Sequence, residues 1–162
     1  MTHDEFLAHI RQQYPDLLDP AWKDENFRYF LSINAGWHGL VVEYLDRVEA
    51  HLRQTGWIGR YYLRQVKEKF GGLRLYFRPK PTVSTDADGF PLEVEDFDAA
   101  PPEVYEPLGK IYDDISERSQ HICEECGEPG ELRKFDGWYA TCCDLHFESW
   151  KARKATRERG DD

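Results

Sequence analysis

The chain has 162 residues, 40% of them hydrophobic and 14% aromatic, and carries a net charge of −10. That is enough apolar material for one domain of ordinary size, which excludes global disorder. No run of 18 apolar residues occurs, so no membrane-spanning helix is expected. The opening Met1-Thr-His-Asp-Glu-Phe6 lacks the basic-then-apolar order of a signal peptide, which points to the cytoplasm. In a reducing compartment the 4 cysteines read as metal ligands rather than as disulfides.

The charge is unevenly spread. Residues 43–80 hold 9 Lys/Arg against 4 Asp/Glu, and residues 81–122 hold 11 acids against 2 bases. The first stretch could attract phosphates or an acidic partner, and the second could repel nucleic acid or imitate it. Two solvated faces that partly neutralise each other explain the same pattern.

Thr2-His-Asp-Glu5 fits a capping box, and Phe6, Leu7, Ile10 and Tyr14 follow at helical spacing. Pro15 should end this first helix. Residues 16–35 are aromatic and irregular, and no element is assigned to them. Gly36-Trp37-His38-Gly39 opens the strongest helix. Leu40, Val41, Tyr44, Leu45, Val48 and Leu52 recur in it at steps of three and four, with Gly56 as C-cap. Two aromatic, β-prone runs between Trp57 and Arg78 flank Gly71-Gly72 and predict a hairpin. Within it Leu73, Leu75 and Phe77 should face the core, with Arg74 and Arg78 outward.

Residues 79–107 carry 6 of the 9 prolines and most of the acidic block, and read as a long loop or insertion. A helix is expected from Pro107, in the first helical position, to about Gln120, with Leu108, Ile111, Tyr112 and Ile115 inward. Glu131–Phe135 and Trp138–Cys142 read as two short strands around an Asp136-Gly137 turn. A final helix over about 144–158 carries Phe147 and Trp150. Lys151, Arg153, Lys154, Arg157 and Arg159 make it basic.

The chemistry-bearing pattern is Cys123-Glu-Glu-Cys126-Gly127 followed by Cys143-Asp-Leu-His146. A two-residue gap lets both ligands of a knuckle face one ion, and Gly127 allows the tight turn behind it. Knuckle, hairpin, knuckle is the layout of a zinc ribbon. The expected ligands are Cys123, Cys126, Cys143 and His146. Cys142 lies one residue early, at a strand end where its side chain should turn the other way; it and His121 stand as alternative ligands. Three cysteines and one histidine favour a closed, structural zinc over a catalytic one, which keeps a position for water. The zinc-deaminase signature pairs a His-x-Glu with a following Pro-Cys-x-x-Cys; His3-Asp-Glu5 and His146-Phe-Glu148 give the triplet, but Ile122 and no proline precedes Cys123-x-x-Cys126, and no such pair follows His146.

Other signals are weaker. Gln65-Val-Lys67 resembles a Gln-x-Lys variant of nuclease active sites, though a Lys on an exposed strand face gives the same string. His38 is a further candidate, as a functional group or as packing. Arg64, Lys67, Lys69, Arg74 and Arg78 interleave with Tyr61, Tyr62, Phe70, Tyr76 and Phe77, the composition of a stacking and charge surface for single strands. An ordinary two-faced hairpin has the same alternation. No Gly-rich phosphate loop, Gly-x-Ser-x-Gly elbow or His-Glu-x-x-His is present.

Gly36-Trp37, the string Gln65-Val-Lys-Glu-Lys-Phe-Gly-Gly-Leu-Arg-Leu-Tyr76, and the closing Cys-x2-Cys-Gly…Gly-Trp…Cys-x2-His together resemble a protein family of bacteria and their phages to which no activity is assigned. The likeness covers roughly residues 36–78 and 108–147. It implies a phage-related or bacterial-defence setting and favours Cys143 over Cys142, because the family pattern places a lone Cys three residues before the His. The acidic stretch 79–107 and the extra Cys142 depart from it.

The expected fold is α+β: a hairpin or small antiparallel sheet packed by helices 38–54 and 107–120, with a C-terminal zinc ribbon. Residues 1–122 would form the core and residues 123–162 the ribbon and basic helix. The expected function is that of a non-enzymatic zinc-binding protein acting by contact with a macromolecule, with protein favoured over nucleic acid. One form of this is an inhibitor presenting acidic residues 86–106 as a nucleic-acid mimic. The alternatives are a nucleic-acid binder using 60–78 and 144–158, or a metal-dependent nuclease.

Overall fold

The computed structural model describes residues 1–20, 22, 26–80, 82–94 and 100–159; at 82–84, 93–94 and 154–159 only the backbone is described. Helix α1 (His3–Gln13) begins at the capping box. Thr2 Oγ1 accepts from the Glu5 amide at 3.2 Å, and the Glu5 carboxylate accepts from the Thr2 amide at 2.7 Å. These bonds satisfy two donors that a helix start leaves orphaned. Phe6, Leu7 and Ile10 form its buried face.

The irregular segment gains structure only through tertiary contact. The single turn α2 (Phe27–Phe30) leads into β1 (Leu31–Ser32), which pairs parallel with β2 (Tyr61–Lys69), Leu31 opposite Val66. Residues 21 and 23–25 of that segment lie outside the described residues. Helix α3 (His38–Thr55) follows a 3-10 turn at Ala35–Trp37 and buries Leu40, Val41, Tyr44, Leu45, Val48 and Leu52. The sequence pattern placed this stripe because 3.6-residue periodicity survives wherever one helix face meets a core.

Strand β2 pairs antiparallel with β3 (Gly72–Pro79), giving the sheet order β1-β2-β3. The hairpin is therefore antiparallel, with a short parallel strand on its outer edge. Lys69 pairs with Gly72, so the turn pair is Phe70-Gly71 and not the Gly-Gly expected. Both turn residues have positive φ, 55° and 74°, as a two-residue hairpin loop with the strand twist requires. Leu73 and Leu75 are buried as anticipated; Phe77, Arg74 and Arg78 are half-buried.

The 79–107 stretch departs from the expected loop. It holds a second hairpin, β4 (Thr82–Thr85) with β5 (Pro91–Val94). Asp86 Oδ1 accepts from the amides of Asp88 (3.0 Å) and Phe90 (2.9 Å), a side chain imitating a backbone turn. Residues 95–99 of the acidic block lie outside the described residues. Helix α4 (Pro102–Ser119) starts at Pro102, so Pro107 sits inside it rather than at its first position. Val104 is the reason. It is 1% exposed and extends the inner stripe of Leu108, Ile111 and Ile115 back by one turn. That burial offsets the amide bond Pro107 cannot make. Pro101-Pro102 presets the backbone at the new start.

Helices α3 and α4 pack together on one side of the sheet. Arg118 forks onto both Glu43 oxygens (2.6 and 2.8 Å), and Arg47 pairs with Asp114. These side chains are about two-fifths exposed, so the pairs register the helices more than they stabilise them. One apolar cluster joins α1, α3, α4 and the sheet, centred on Phe6, Trp37, Leu45, Leu63, Leu73 and Ile115. The C-terminal part consists of β6 (Glu131–Phe135) paired antiparallel with β7 (Trp138–Cys142), followed by α5 (Asp144–Arg159). No helix among the described residues is long and apolar enough to cross a membrane.

Candidate metal centre

The first knuckle is a tight turn built by backbone bonds. The Cys123 amide donates to Glu128 O at 2.7 Å, and the Gly127 amide donates to Cys123 O at 2.9 Å. The Glu124 amide donates to Thr141 O at 2.9 Å, fixing the knuckle to β7. The second knuckle is the first turn of α5, where the Phe147 amide donates to Cys143 O at 3.0 Å. One helical turn brings Cys143 and His146, three residues apart, onto the same face.

The two knuckles bring four ligand atoms together. Cys123 Sγ lies 3.5 Å and Cys143 Sγ 3.2 Å from His146 Nδ1, and Cys126 Sγ lies 3.9 Å from Cys143 Sγ. All four atoms fall within 4.8 Å of one another, so Cys123, Cys126, Cys143 and His146 could hold a metal ion. Cys123 is buried and Cys126 exposed, with Cys143 and His146 between. Cys142 is 3% exposed and outside the group, its thiol pushed up to about 11 chiefly by burial. His121 is exposed and is also outside it. At Cys123 burial opposes ionisation, but backbone bonds from the Cys143, Cys126 and Glu125 amides outweigh it and bring the thiol down to about 7. A thiolate is the form a metal takes.

The centre is seated against the core at two points, Gly36-Trp37 and the tip of the β2–β3 hairpin. At Gly36 the amide donates to Glu124 O at 2.8 Å, and the neighbouring Trp37 Nε1 donates to Ile122 O at 2.9 Å. A Cβ on Gly36 would overlap the Cys123 carbonyl. At the hairpin tip, buried Thr141 Oγ1 donates to Gly71 O at 2.6 Å. A Cβ on Gly71 would overlap Leu132, and the Phe70 ring meets the Tyr139 ring edge-on at 6.4 Å. Glu68 closes the tip from within, accepting from the Gly71 amide at 2.5 Å.

The basic residues of the hairpin are spread over several environments. Arg64 pairs with Asp19. Lys67 lies over the Tyr76 ring at 5.1 Å and Lys69 over the Phe70 ring at 5.3 Å. Arg74 donates to Ser116 Oγ at 3.2 Å and to Leu73 O at 3.4 Å. On α5, Lys151 pairs with Glu148 at 2.5 Å and sits over Phe147; the side chains of Lys154, Arg157 and Arg159 lie outside the described residues. His38 packs. It is 4% exposed, its ring stacks on Phe6 at 3.9 Å, and its Nε2 is 3.3 Å from His3 Nδ1. Among the described residues no second group able to hold an ion lies beside Gln65 and Lys67.

A hollow of about 350 Å³ lies behind the first knuckle, lined by His3, Tyr29, Ile33, Trp37, Glu68 and Glu124 among others. Burial pushes the Glu124 carboxyl up to about 8, helped by Glu68, Glu125 and Cys123, and its buried Oε2 has no partner among the described residues. Nothing in the sequence singles Glu124 out. It reads there as one of two acidic spacers between ligands, and only the fold turns it inward. No protein-family model, curated protein or solved structure matches this chain.

Proposed function

We propose that the chain is a zinc-braced protein that works by binding a protein partner, with the ion structural and no reaction performed at it. The closed ligand set carries this reading. Three sulfurs and one imidazole of the same chain supply four ligands, the number a structural zinc takes, and leave no position for water. The 3.9 Å between Cys126 and Cys143 sulfurs fits the edge of about 3.8 Å that a tetrahedron with bonds of about 2.3 Å requires. Thiolate and imidazole donors suit zinc, whereas magnesium and calcium favour oxygen.

A protein partner is favoured because the basic residues do not form one open surface. Arg64 is committed to Asp19, Arg74 to Ser116, and Lys67 and Lys69 to neighbouring rings. A net charge of −10 further opposes binding to a polyanion. The test is affinity capture from the native host with zinc-loaded chain, alongside titration of a labelled single-stranded oligonucleotide at low and high salt. A captured host protein with no salt-dependent oligonucleotide binding is the expected result. Binding that weakens with salt and in Arg74→Ala or Arg78→Ala would establish the nucleic-acid reading instead. Metal-dependent cleavage lost in Lys67→Ala would establish the nuclease reading.

A further inference from the structure

We propose that the hollow behind the first knuckle binds the guanidinium of an arginine side chain carried by the partner; this rests on the reading that the partner is a protein. The walls run from buried Ile33 and Trp37, 8% and 0% exposed, to Tyr29 at 72% and exposed Glu68. A volume of about 350 Å³ lies at the small end of ligand pockets. It suits one long side chain entering from solvent.

Glu124 is the residue that calls for an occupant. Its Oε2 is buried and has no hydrogen-bond partner among the described residues. A buried acceptor left unpaired is costly, and a donor placed in the hollow would satisfy it. Glu68 gives Oε1 to the Gly71 amide, a neutral donor that leaves its charge unanswered. Among the described residues no cation forms an ion pair with Glu68 or Glu124. Glu68 and Glu125 press negative charge on Glu124, and a cation in the hollow relieves that repulsion. Arg28 also lines the hollow, but it is 65% exposed and pairs with Asp4 at 3.3 Å. The net charge of −10 draws cationic partners to the whole chain.

The kind of cation follows from the lining. Among the described residues, Glu68 and Glu124 belong to no group able to hold a metal ion, so a bare divalent cation is a poor fit. An ammonium is a compact, strongly hydrated point charge. A guanidinium is a planar fork with five donors, enough to bond Glu124 Oε2 and a Glu68 oxygen together, and its face stacks on aromatic rings. Tyr29 offers such a ring, and the apolar stem of an arginine matches Ile33 and Trp37.

The test titrates the intact, zinc-loaded, isotope-labelled chain with arginine amide, lysine amide and citrulline amide, the last an uncharged isostere, and follows it by NMR. Arginine amide should shift the Asn34 and Glu124 amides and the Trp37 indole at concentrations where the other two do not. Its affinity should fall about tenfold in Glu124→Gln and in Glu68→Gln, which keep an acceptor oxygen and lose the charge. Glu106→Gln removes the same charge from an exposed position on α4 outside the hollow and should leave the affinity unchanged. Zinc is measured in every variant; if Glu124→Gln loses it, Glu68→Gln decides. No shift with arginine amide, equal binding of lysine amide, or undiminished binding in Glu68→Gln overturns the proposal. Capture of a host protein that survives Glu68→Gln overturns the arginine pocket and leaves the partner reading standing. Arginine amide bound with all these signatures, with no host protein captured by the wild-type chain, supports the guanidinium site, makes a free guanidino compound its source and counts against the partner reading.

Discussion

From Phe6 to Ile115 the described residues share one apolar cluster, whereas residues 123–147 contribute nothing to it. The ribbon buries Cys123, Thr141 and Cys142 and leaves Trp138 at 73%, Leu132 at 46% and Tyr139 at 39% exposure. Its remaining packing is a small group of rings, Phe135, Phe147 and Trp150, with centroids 5.7–6.3 Å apart. A segment this short cannot bury enough surface to offset its conformational entropy. The comparison teaches that one chain offers two means of folding: hydrophobic burial in the core, and in the ribbon backbone docking plus a ligand set that could hold an ion. Each region should therefore fail in its own way.

The largest effect should come from Cys126→Ser. Metal binding to a site of this kind is coupled to folding, so its loss removes several kcal/mol from the ribbon. Elemental analysis should find the ion gone. A thermal melt followed by circular dichroism should show an early ribbon transition, with the α3 and α4 signal retained. Next is Leu63→Ala. Leu63 is fully buried in the sheet, so the cavity should cost about 2–5 kcal/mol, while the ion content stays at the wild-type value. A variant that lost both together would erase the distinction between the regions.

Gly36→Ala probes the joint. The added methyl meets the knuckle backbone, which cannot give way as a flexible side chain would. Overpacking of this kind costs about 1–3 kcal/mol, and here it should also weaken metal affinity in a chelator competition. Unchanged affinity would mean that the core does not help to shape the centre. The smallest effect is a pH dependence confined to the core. Burial, then His3 and the amino terminus, lowers His38 to about 4 from its usual 6.5. Between those values the unfolded chain binds a proton that the folded chain excludes. His38 therefore contributes stability that is complete above pH 6.5 and is lost as pH falls toward 4. His38→Gln should flatten that slope in acid melts by on the order of 1–2 kcal/mol. An unchanged slope would place the acid sensitivity elsewhere.

What the sequence disclosed followed from local rules. The α3 stripe, the Thr2–Glu5 capping box, the Asp136-Gly137 turn and the pairing of Cys-x2-Cys with Cys-x2-His are all written within a few residues. What it concealed depended on distant partners. β1 exists because Leu31 meets Val66, and nothing in residues 26–34 indicates that pairing. Helix α4 runs through Pro107 because Val104 finds a place in the core, and a local reading of proline puts the boundary there instead. The Phe70-Gly71 turn was missed because Phe is a poor candidate for positive φ; its ring docks on Tyr139 and its neighbour Gly71 receives Thr141. The same docking gives Gly36-Trp37 and Phe70-Gly71 their part in the fold: they are the surfaces on which the ribbon sits.

The central claim is that one ion, held by four side chains, gives the ribbon the shape that docks on the core. It is tested most directly by measuring bound zinc per chain and following amide exchange before and after chelation. The account predicts one zinc per chain. On its removal, amides of residues 123–147 should lose protection and that of Gly36, bonded to Glu124 O, should loosen, while those of α3 stay protected. A chain that binds no zinc, or a ribbon equally protected without it, would contradict the account.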